Sequence, residues 1–259
     1  MELYLITGFL GAGKTTFLKN FARQFAGRRL RLIINEFGRA GVDGTLLREL
    51  DAALDEISNG SIFCACRLDQ FESALEQAAA DAPDVVLVEA SGLADPTNVR
   101  RVLAQFPAVS YQGSVCVADA ARLEKVFSTA RACPRQLAVS SLVLLNKTDL
   151  ATEAQCAEAK ALILRANPAA RIRRTQLGRF EPEWLSLIVP DVDVDEVLDM
   201  PDITLQKAVL QIRPTMPFAA LQKCLVQLAG ETWRIKGFVR VPEGIFYVDC
   251  TGPEVRLTP

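Results

Sequence analysis

The chain contains no histidine among its 259 residues. This absence excludes every site that uses an imidazole as a general acid, a general base, a pH switch or a metal ligand. The seven cysteines are an odd number and include only one close pair, Cys64 and Cys66. That spacing does not indicate a disulfide framework, so the thiols are predicted to be reduced.

Long apolar runs and an excess of basic residues are also missing. No run approaches the roughly 20 apolar residues that span a bilayer. The 29 basic residues are balanced by 31 acidic ones, which gives a net charge of −2. Nucleic acids and anionic membranes attract clustered basic surfaces, so neither is expected as a partner. The start, Met1–Tyr4, lacks the basic segment of a secretory signal, and a cytoplasmic protein is predicted.

What is present is an alternation of short aliphatic segments with longer amphipathic ones. Predicted strands are Leu3–Thr7, Arg31–Asn35, Asp84–Glu89, Gly113–Asp119 and Leu142–Asn146, and predicted helices include Lys14–Phe25, Leu68–Asp81 and Asn98–Phe106. Strands that alternate with helices indicate βαβ units, and therefore an α/β fold with a mostly parallel sheet flanked by helices. Such sheets bind ligands beyond the carboxyl ends of their strands.

The alternation is predicted to end near residue 190, which makes residues 1–190 one domain. Residues 191–202 are acidic and punctuated by proline, which is typical of an interdomain linker or of a solvated loop. Residues 203–259 are predicted to form a small α+β domain. Its predicted elements are a strand Ile203–Ile212, a helix Pro217–Ala229, and strands Trp233–Val241, Gly244–Cys250 and Glu254–Leu257.

The segment Gly8–Thr15 fits the pattern G-x-x-x-x-G-K-[ST] and lies between a predicted strand and a predicted helix. Glycines permit a tight turn that aims backbone N–H groups at phosphates, and the helix N-terminus adds positive potential. We expect Lys14 to contact the β- and γ-phosphates and Thr15 to offer its hydroxyl to Mg²⁺. The residues predicted to bind the nucleotide here are Gly8, Gly11, Ala12, Gly13, Lys14, Thr15 and Thr16.

Asn146-Lys147-Thr148-Asp149 follows an apolar segment and fits N-K-x-D, the pattern by which P-loop GTPases recognise guanine. The Asp149 carboxylate can accept hydrogen bonds from guanine N1–H and N2–H, whereas adenine offers no such pair of donors. The aliphatic part of Lys147 is expected to lie across the base, and Asn146 is expected to tie this segment to the phosphate-binding loop. Together with the P-loop, the segment predicts GTP or GDP as the ligand rather than ATP.

A single carboxylate, Glu89, ends the apolar segment 85–88 between those two motifs. Beside a P-loop it is predicted to hold Mg²⁺, directly or through water, or to orient the attacking water; the alternative is a strand-ending residue in solvent. Lys14 and Glu89 are therefore the predicted catalytic residues. The backbone N–H of Gly92 is predicted to face the γ-phosphate, so that residues 93–99 form a switch. A second switch segment is expected around Glu36–Asp43.

These motifs together resemble the CobW-like family of P-loop GTPases, relatives of the GTPases that insert nickel into urease and hydrogenase. The most specific segment is Glu89–Pro96, which reads E-A-S-G-L-A-D-P, and Asn35–Gly38, Val42–Gly44 and Trp233–Phe238 add to it. The resemblance covers nearly the whole chain. It implies a GTPase domain that binds GTP and Mg²⁺, a smaller C-terminal domain, and a role in metal homeostasis or metallocofactor assembly. By analogy, a GTP-dependent homodimer is expected.

The chain departs from the family at the cysteine motif that handles metal. Where the family carries C-x-C-C after Asn-Gly, Ser61 and Phe63 replace the first two cysteines. Cys64 matches the third and Cys66 is additional. In an extended segment, residues two apart project to the same side, so both sulfurs can reach one ion. Two thiolates suit Zn²⁺, Co²⁺ or Ni²⁺, and Glu36 is predicted as a third ligand. The alternative is that these thiols are packed, or serve redox chemistry or a cofactor contact.

The predicted function is that of a GTPase whose cycle delivers a metal ion or metallocofactor to a client metalloprotein. Hydrolysis is expected to be slow without a partner, because the sequence identifies no arginine finger. Two alternatives stay open. The same cycle could gate a cofactor-dependent partner enzyme without metal binding, or the P-loop could serve a small-molecule kinase that prefers ATP.

Overall fold

A computed structural model describes residues 1–36, 53–58, 68–190, 209–213, 215–232, 234–251 and 254–259, with the backbone alone for Glu36, Glu56, Ser58 and Leu68. The chain divides into two compact units, Met1–Thr204 and Leu205–Pro259. The predicted linker 191–202 lies outside the described residues. The three-part division drawn from the sequence, 1–190, 191–202 and 203–259, therefore stays a prediction.

The first unit is built on a parallel sheet, which comprises seven strands within the described residues. In chain order they are β1 (Glu2–Thr7), β2 (Leu30–Glu36), β3 (Ala53–Ser58), β4 (Val85–Glu89), β5 (Ser110–Asp119), β6 (Leu142–Asn146) and β7 (Arg171–Arg174). Their spatial order is β3-β2-β4-β1-β5-β6-β7, and all neighbouring pairs are parallel. β4, β1 and β5 are therefore neighbours at the centre of the sheet. The loops that follow these three strands meet at their carboxyl ends.

Helices cover both faces of this sheet, as predicted for an α/β fold. They are α1 (Lys14–Ala22), α2 (Leu68–Asp81), α3 (Val99–Leu103), α4 (Leu123–Thr129), α5 (Ala132–Ala138) and α6 (Glu153–Ala166). On β1, Tyr4 packs edge-on against Phe21 of α1, with ring centroids 5.5 Å apart. The next residue, Leu5, belongs to the opposite core cluster, which includes Phe71 of α2. Because both faces are buried, the strand sequence is continuously apolar rather than alternating.

Most elements predicted from periodicity are present with shifted ends. Leu142–Asn146 and Leu68–Asp81 have the predicted bounds. The predicted helix 14–25 ends as an α-helix at Ala22 and continues as a 3-10 turn, Arg23–Phe25. The periodicity analysis missed β3 and β7, whose sequences are A-L-D-E-I-S and R-I-R-R. Both are edge strands, and edge strands carry charged residues that obscure an apolar pattern.

The second unit contains a helix, α7 (Phe218–Glu231), and an antiparallel sheet. Its strands are β8 (Arg234–Val241), β9 (Gly244–Thr251) and β10 (Glu254–Thr258), in the order β10-β9-β8. Leu221 and Leu225 of α7 pack with Val248 of β9 in a small core. The predicted strand 203–212 is wrong where the structure describes it, because residues 209–213 have no regular secondary structure. Apolar residues alone do not form a strand, because a strand also needs a neighbouring strand with which its backbone forms hydrogen bonds.

In the parts of the chain that the structure describes, no helix is both long enough and apolar enough to cross a bilayer.

Candidate nucleotide-binding site

The turn between β1 and α1 depends on glycine. Gly8 has a φ of 136°, a conformation that residues with side chains rarely adopt. A Cβ atom at this position would lie 2.3 Å from the carbonyl oxygen of Val117, so the turn also passes directly against β5. The chain thereby reaches the N-terminus of α1, whose first turn carries no acidic residue. Helix N-termini attract anions, and nothing acidic in that turn opposes one here.

Lys14 is the first residue of α1 and is buried. Its ammonium group donates a hydrogen bond to the carbonyl oxygen of Phe9 at 3.4 Å, so the side chain folds back over the turn. Thr15 is partly buried and Thr16 is exposed. A cation, two hydroxyls and the helix N-terminus therefore lie together at the end of β1.

Asn146 joins this turn to the segment predicted to bind the base. Its Nδ2 donates to the carbonyl oxygen of Ala12 at 2.9 Å, although the two residues are 134 apart in the chain. Its Oδ1 accepts from the backbone N–H of Gly178 at 3.0 Å, in the loop that follows β7. One buried side chain thus fixes three loops relative to one another. The motifs around residues 8–16 and 146–149 are neighbours, as a shared ligand requires.

Gly13, next to Ala12, is a second point where the two motifs lie in close contact. It has a φ of 102°, and a Cβ atom there would lie 2.6 Å from Asn146 Nδ2. We predict that Gly13→Ala lowers the free energy of unfolding by about 2–4 kcal/mol, because left-handed strain adds to the displacement of a buried amide. Chemical denaturation followed by circular dichroism measures this change.

Gly27→Ala is the matched control for that substitution. Gly27 also has a positive φ, 84°, but a Cβ atom there would meet nothing within 4 Å. It therefore carries the backbone strain alone, which costs about 1–2 kcal/mol. Equal losses of stability in the two variants would contradict close contact between the turn and Asn146.

The segment predicted to bind the base, Asn146–Asp149, leaves β6 with a positive φ at Lys147. Lys147 has a φ of 60°, and its ammonium group forms an ion pair with Asp119 at 2.9 Å. The Thr148 hydroxyl donates to the carbonyl oxygen of Thr175 at 3.1 Å, which ties the segment to the loop after β7. Asp149 is exposed, so its carboxylate is accessible to a ligand.

Asp119 is a residue of this site that the sequence analysis missed. It ends β5 and is buried, as Glu89 is at the end of β4. Both strands are apolar runs that end in a carboxylate, V-C-V-A-D and V-V-L-V-E. The pattern that predicts a functional role for Glu89, an apolar strand that ends in a carboxylate, predicts one for Asp119 as well.

Glu89 lies at the end of β4 between β1 and β2, in register with Ile6 and Ile34. The residue is only 6% exposed, so the alternative of a strand-ending residue in solvent does not apply. Its carboxylate and the Thr15 hydroxyl are hard oxygen donors, the type that Mg²⁺ takes together with water and phosphate oxygens. The donor set therefore fits Mg²⁺, with few enough protein ligands to leave positions for a nucleotide.

The segment after β4 lies directly against the turn after β1. A Cβ atom on Gly92 would be 2.7 Å from the backbone nitrogen of Leu10, so only glycine permits this approach. Gln136 of α5, which is fully buried, donates to the carbonyl oxygens of Gly92 at 3.2 Å and Ala94 at 2.9 Å. Arg135 forms an ion pair with Asp95. The sequence offers no signal for Gln136 and Arg135, because they belong to no motif.

The predicted ligands of a transition metal are Cys64, Cys66 and Glu36. Cys64 and Cys66 lie outside the described residues, and so does the side chain of Glu36. The residues that are described contain no group of three or more cysteine and acidic side chains able to hold a metal. The free cysteines among them are Cys116, Cys133, Cys156, Cys224 and Cys250, all buried except Cys224, which is partly exposed. Burial raises the pKa of Cys116 to about 12, which keeps that thiol protonated.

Comparison with known proteins identifies the family. Residues 2–174 match the domain described as CobW/HypB/UreG, nucleotide-binding domain. Zinc chaperone CobW of Pseudomonas aeruginosa is 32% identical over 206 residues, covering 66% of this chain and 55% of that protein. Zinc chaperone YjiA of Escherichia coli is 26% identical over 226 residues, covering 83% of this chain and 66% of that protein. The chain therefore spans less than two thirds of the length of either relative.

A solved structure agrees in fold. The crystal structure of Zn(II)-bound YjiA GTPase from E. coli superimposes with a TM-score of 0.53 and 18% identity, over 99% of this chain and 88% of that chain. The family match spans more than half of the chain and includes the turn after β1, Glu89 and Asn146–Asp149. This protein belongs to the CobW/HypB/UreG family of nucleotide-binding proteins.

Proposed function

We propose that this protein binds GTP between the turn after β1 and the segment Asn146–Asp149, hydrolyses it to GDP and phosphate, and uses the cycle to deliver zinc to a client protein. The observation that carries the nucleotide assignment is the pair of hydrogen bonds made by Asn146, which bring both segments to one place. The metal assignment is supported by the names of the relatives, which are zinc chaperones.

In the proposed reaction, water attacks the γ-phosphate and the protein acts by position and charge. The Lys14 ammonium and the backbone N–H groups of residues 11–15 stabilise the negative charge that develops on the phosphate oxygens. Thr15 and Glu89 would hold Mg²⁺, which neutralises the β- and γ-phosphate oxygens when bound. Gln136 donates to the carbonyl oxygen of Gly92 and so holds this segment beside the turn. In the proposed reaction the Gly92 N–H would contact the γ-phosphate, and this contact would be lost on hydrolysis.

Asn35 offers a route from the nucleotide to the predicted metal ligands. Its Oδ1 accepts from the backbone N–H of Ser91 at 3.2 Å, next to Gly92. Its Nδ2 donates to the carbonyl oxygen of Ile57 at 3.1 Å, on β3. The chain reaches Cys64 and Cys66 soon after β3 ends. A displacement of the segment after β4 on hydrolysis would therefore be transmitted through Asn35 to the strand that precedes the cysteines.

We predict that Asn35→Ala uncouples zinc affinity from the nucleotide. The substitution removes the link between Ser91 and Ile57 but leaves Lys14 and Asp149 in place, so GTP affinity should change by less than about threefold. The difference in zinc affinity between the GTP-analogue and GDP states should vanish. Competition with a zinc-binding dye, run in both nucleotide states, measures that difference.

Asn167→Ala controls for the loss of a buried amide. Asn167 is also buried, and its Nδ2 donates to the carbonyl oxygens of Leu137, Ala138 and Ser140. It should lose stability and keep the nucleotide dependence of zinc binding. If Asn35→Ala retains that dependence in full, the proposed route is wrong.

The metal assignment is tested by titration of zinc into the purified, reduced protein in the presence of GDP or of a non-hydrolysable GTP analogue. The stoichiometry of zinc binding is measured. We expect stoichiometric binding that disappears in the double variant Cys64→Ser/Cys66→Ser. Cys224→Ser is the matched control, since Cys224 is the partly exposed thiol of α7. Binding at background level in the wild type would overturn zinc delivery.

A GTPase switch without bound metal is the second candidate function. It is favoured by Ser61 and Phe63, which stand where the family has metal-binding cysteines. It predicts GTP hydrolysis and GTP-dependent partner binding that are both unaffected by chelators of zinc. Both candidate functions release the phosphate into water. A kinase would instead transfer it to a metabolite, so the fate of the phosphate distinguishes a kinase from both.

A further inference from the structure

Asp119 is a buried carboxylate at the candidate nucleotide site that the proposed reaction leaves unused. It is the last residue of β5, and its register partner on β6 is Asn146. Its Oδ2 pairs with the Lys147 ammonium at 2.9 Å, and its Oδ1 accepts from the backbone N–H of Ala121 at 3.1 Å. The carboxylate is therefore fixed at one end by its own loop and presents its other oxygen to Lys147.

The backbone of Lys147 is held in place by contacts, in addition to the ion pair of its ammonium group. Its φ of 60° costs roughly 1 kcal/mol for a residue with a side chain, so the surrounding contacts must hold it there. One such contact lies immediately before it, where the Asn146 carbonyl oxygen accepts from the Ala120 N–H at 2.9 Å. The backbone and the ammonium group of Lys147 are therefore both held, which restricts the conformations open to the aliphatic part between them.

The environment of the ion pair makes it stronger than an ordinary surface pair. The side chains of Lys147 and Asp119 are only 20% and 10% exposed. Partial burial weakens solvent screening, so the attraction is larger than between two solvated groups. A free lysine side chain loses considerable rotamer entropy when it is ordered. Here the ordering precedes ligand binding, and preorganisation of this kind raises affinity.

We infer that Asp119 is a positioning residue for base recognition. It acts by holding the aliphatic part of the Lys147 side chain in the orientation in which it can lie across the purine ring. The inference rests on the proposed binding of a guanine nucleotide and deepens it. Asp119 touches neither phosphate nor base in this role. Its effect should therefore be confined to ligands that have a base and should require Lys147.

The test compares GDP with inorganic tripolyphosphate, which has the phosphates and no base. Asp119→Asn keeps the shape and the acceptor for the Ala121 N–H but removes the charge. We expect GDP affinity to fall about tenfold, the effect of losing one charge-assisted hydrogen bond. Tripolyphosphate affinity, measured by competition in Mg²⁺ buffer, should change by less than about twofold. Glu124→Gln, an exposed acid on α4, is the control and should leave both affinities unchanged.

A double-mutant cycle with Lys147→Met shows whether Asp119 acts through the lysine. We expect no further loss of GDP affinity when Asp119→Asn is added to Lys147→Met. Additive losses, an equal loss for tripolyphosphate, or no loss for GDP would each overturn the inference while leaving GDP binding by the wild type intact. Failure of the wild type to bind GDP overturns the proposed function as well. If Asp119→Asn does not fold, Asp119→Ser gives the same comparison.

Discussion

Replacing Lys14 with alanine is expected to lower GTP affinity by about 100-fold and to reduce the rate of hydrolysis at saturating GTP by a further factor of about 100–1000. Lys14 is buried at the start of α1, and its ammonium group lies over the turn that is proposed to hold the phosphates. The affinity falls because charge-assisted hydrogen bonds to the β- and γ-phosphates are lost. The rate falls because the charge that develops in the transition state is no longer stabilised. Isothermal titration and a phosphate-release assay measure the two effects.

Lys19→Ala is the matched control for Lys14→Ala. Lys19 lies in the last turn of the same helix, so the variant changes the net charge equally without altering the turn after β1. It should bind and hydrolyse GTP as the wild type does. If Lys14→Ala retained wild-type affinity, the assignment of residues 8–15 to the phosphates would be wrong.

Asp149→Asn is expected to change the preferred base from guanine to xanthine. The Asp149 carboxylate is proposed to accept from N1–H and N2–H of guanine, whereas a carboxamide can donate to the O2 of xanthine. We expect GTP affinity to fall about 100-fold, because an unmatched polar pair is left at the base, and XTP affinity to rise above that for GTP. Asp149 is exposed, so the substitution should not disturb the fold. Competition of GTP, XTP and ATP against a fluorescent nucleotide measures the change.

Glu158→Gln controls for the loss of one negative charge near this segment. Glu158 is exposed on α6, the helix that follows Asn146–Asp149. Its variant should keep the preference for GTP. Unchanged GTP affinity in Asp149→Asn would remove the argument for guanine over adenine, although the phosphate-binding turn would be unaffected.

The central part of the first unit follows from local patterns in the sequence. β1, β4 and β6 are apolar runs because both faces are buried, and their length and aliphatic composition are enough to predict them. The glycine spacing after β1 predicts a tight turn, and Gly8 and Gly13 have the positive φ angles that glycine makes possible there. Each of these features depends on residues that are close together in the chain.

Contacts between distant segments were predictable only where a motif marks both partners. The link from Asn146 to Ala12 could be expected because both residues belong to recognised patterns. Gln136 has an equally direct role, since it holds Gly92 and Ala94, but its contact crosses more than 40 residues and no pattern marks it. The edge strand β7, R-I-R-R, is similar, because its pairing with β6 defines it and its own composition does not.

The measurement that tests the central claim most directly is isothermal titration of the purified chain with GTP and, separately, with ATP, both in Mg²⁺ buffer. If Asn146 joins a phosphate-binding turn to a guanine-binding segment, GTP binds with a stoichiometry of one and ATP binds at least about 100-fold more weakly. Equal affinity for the two nucleotides, or no heat of binding with either, would contradict the account.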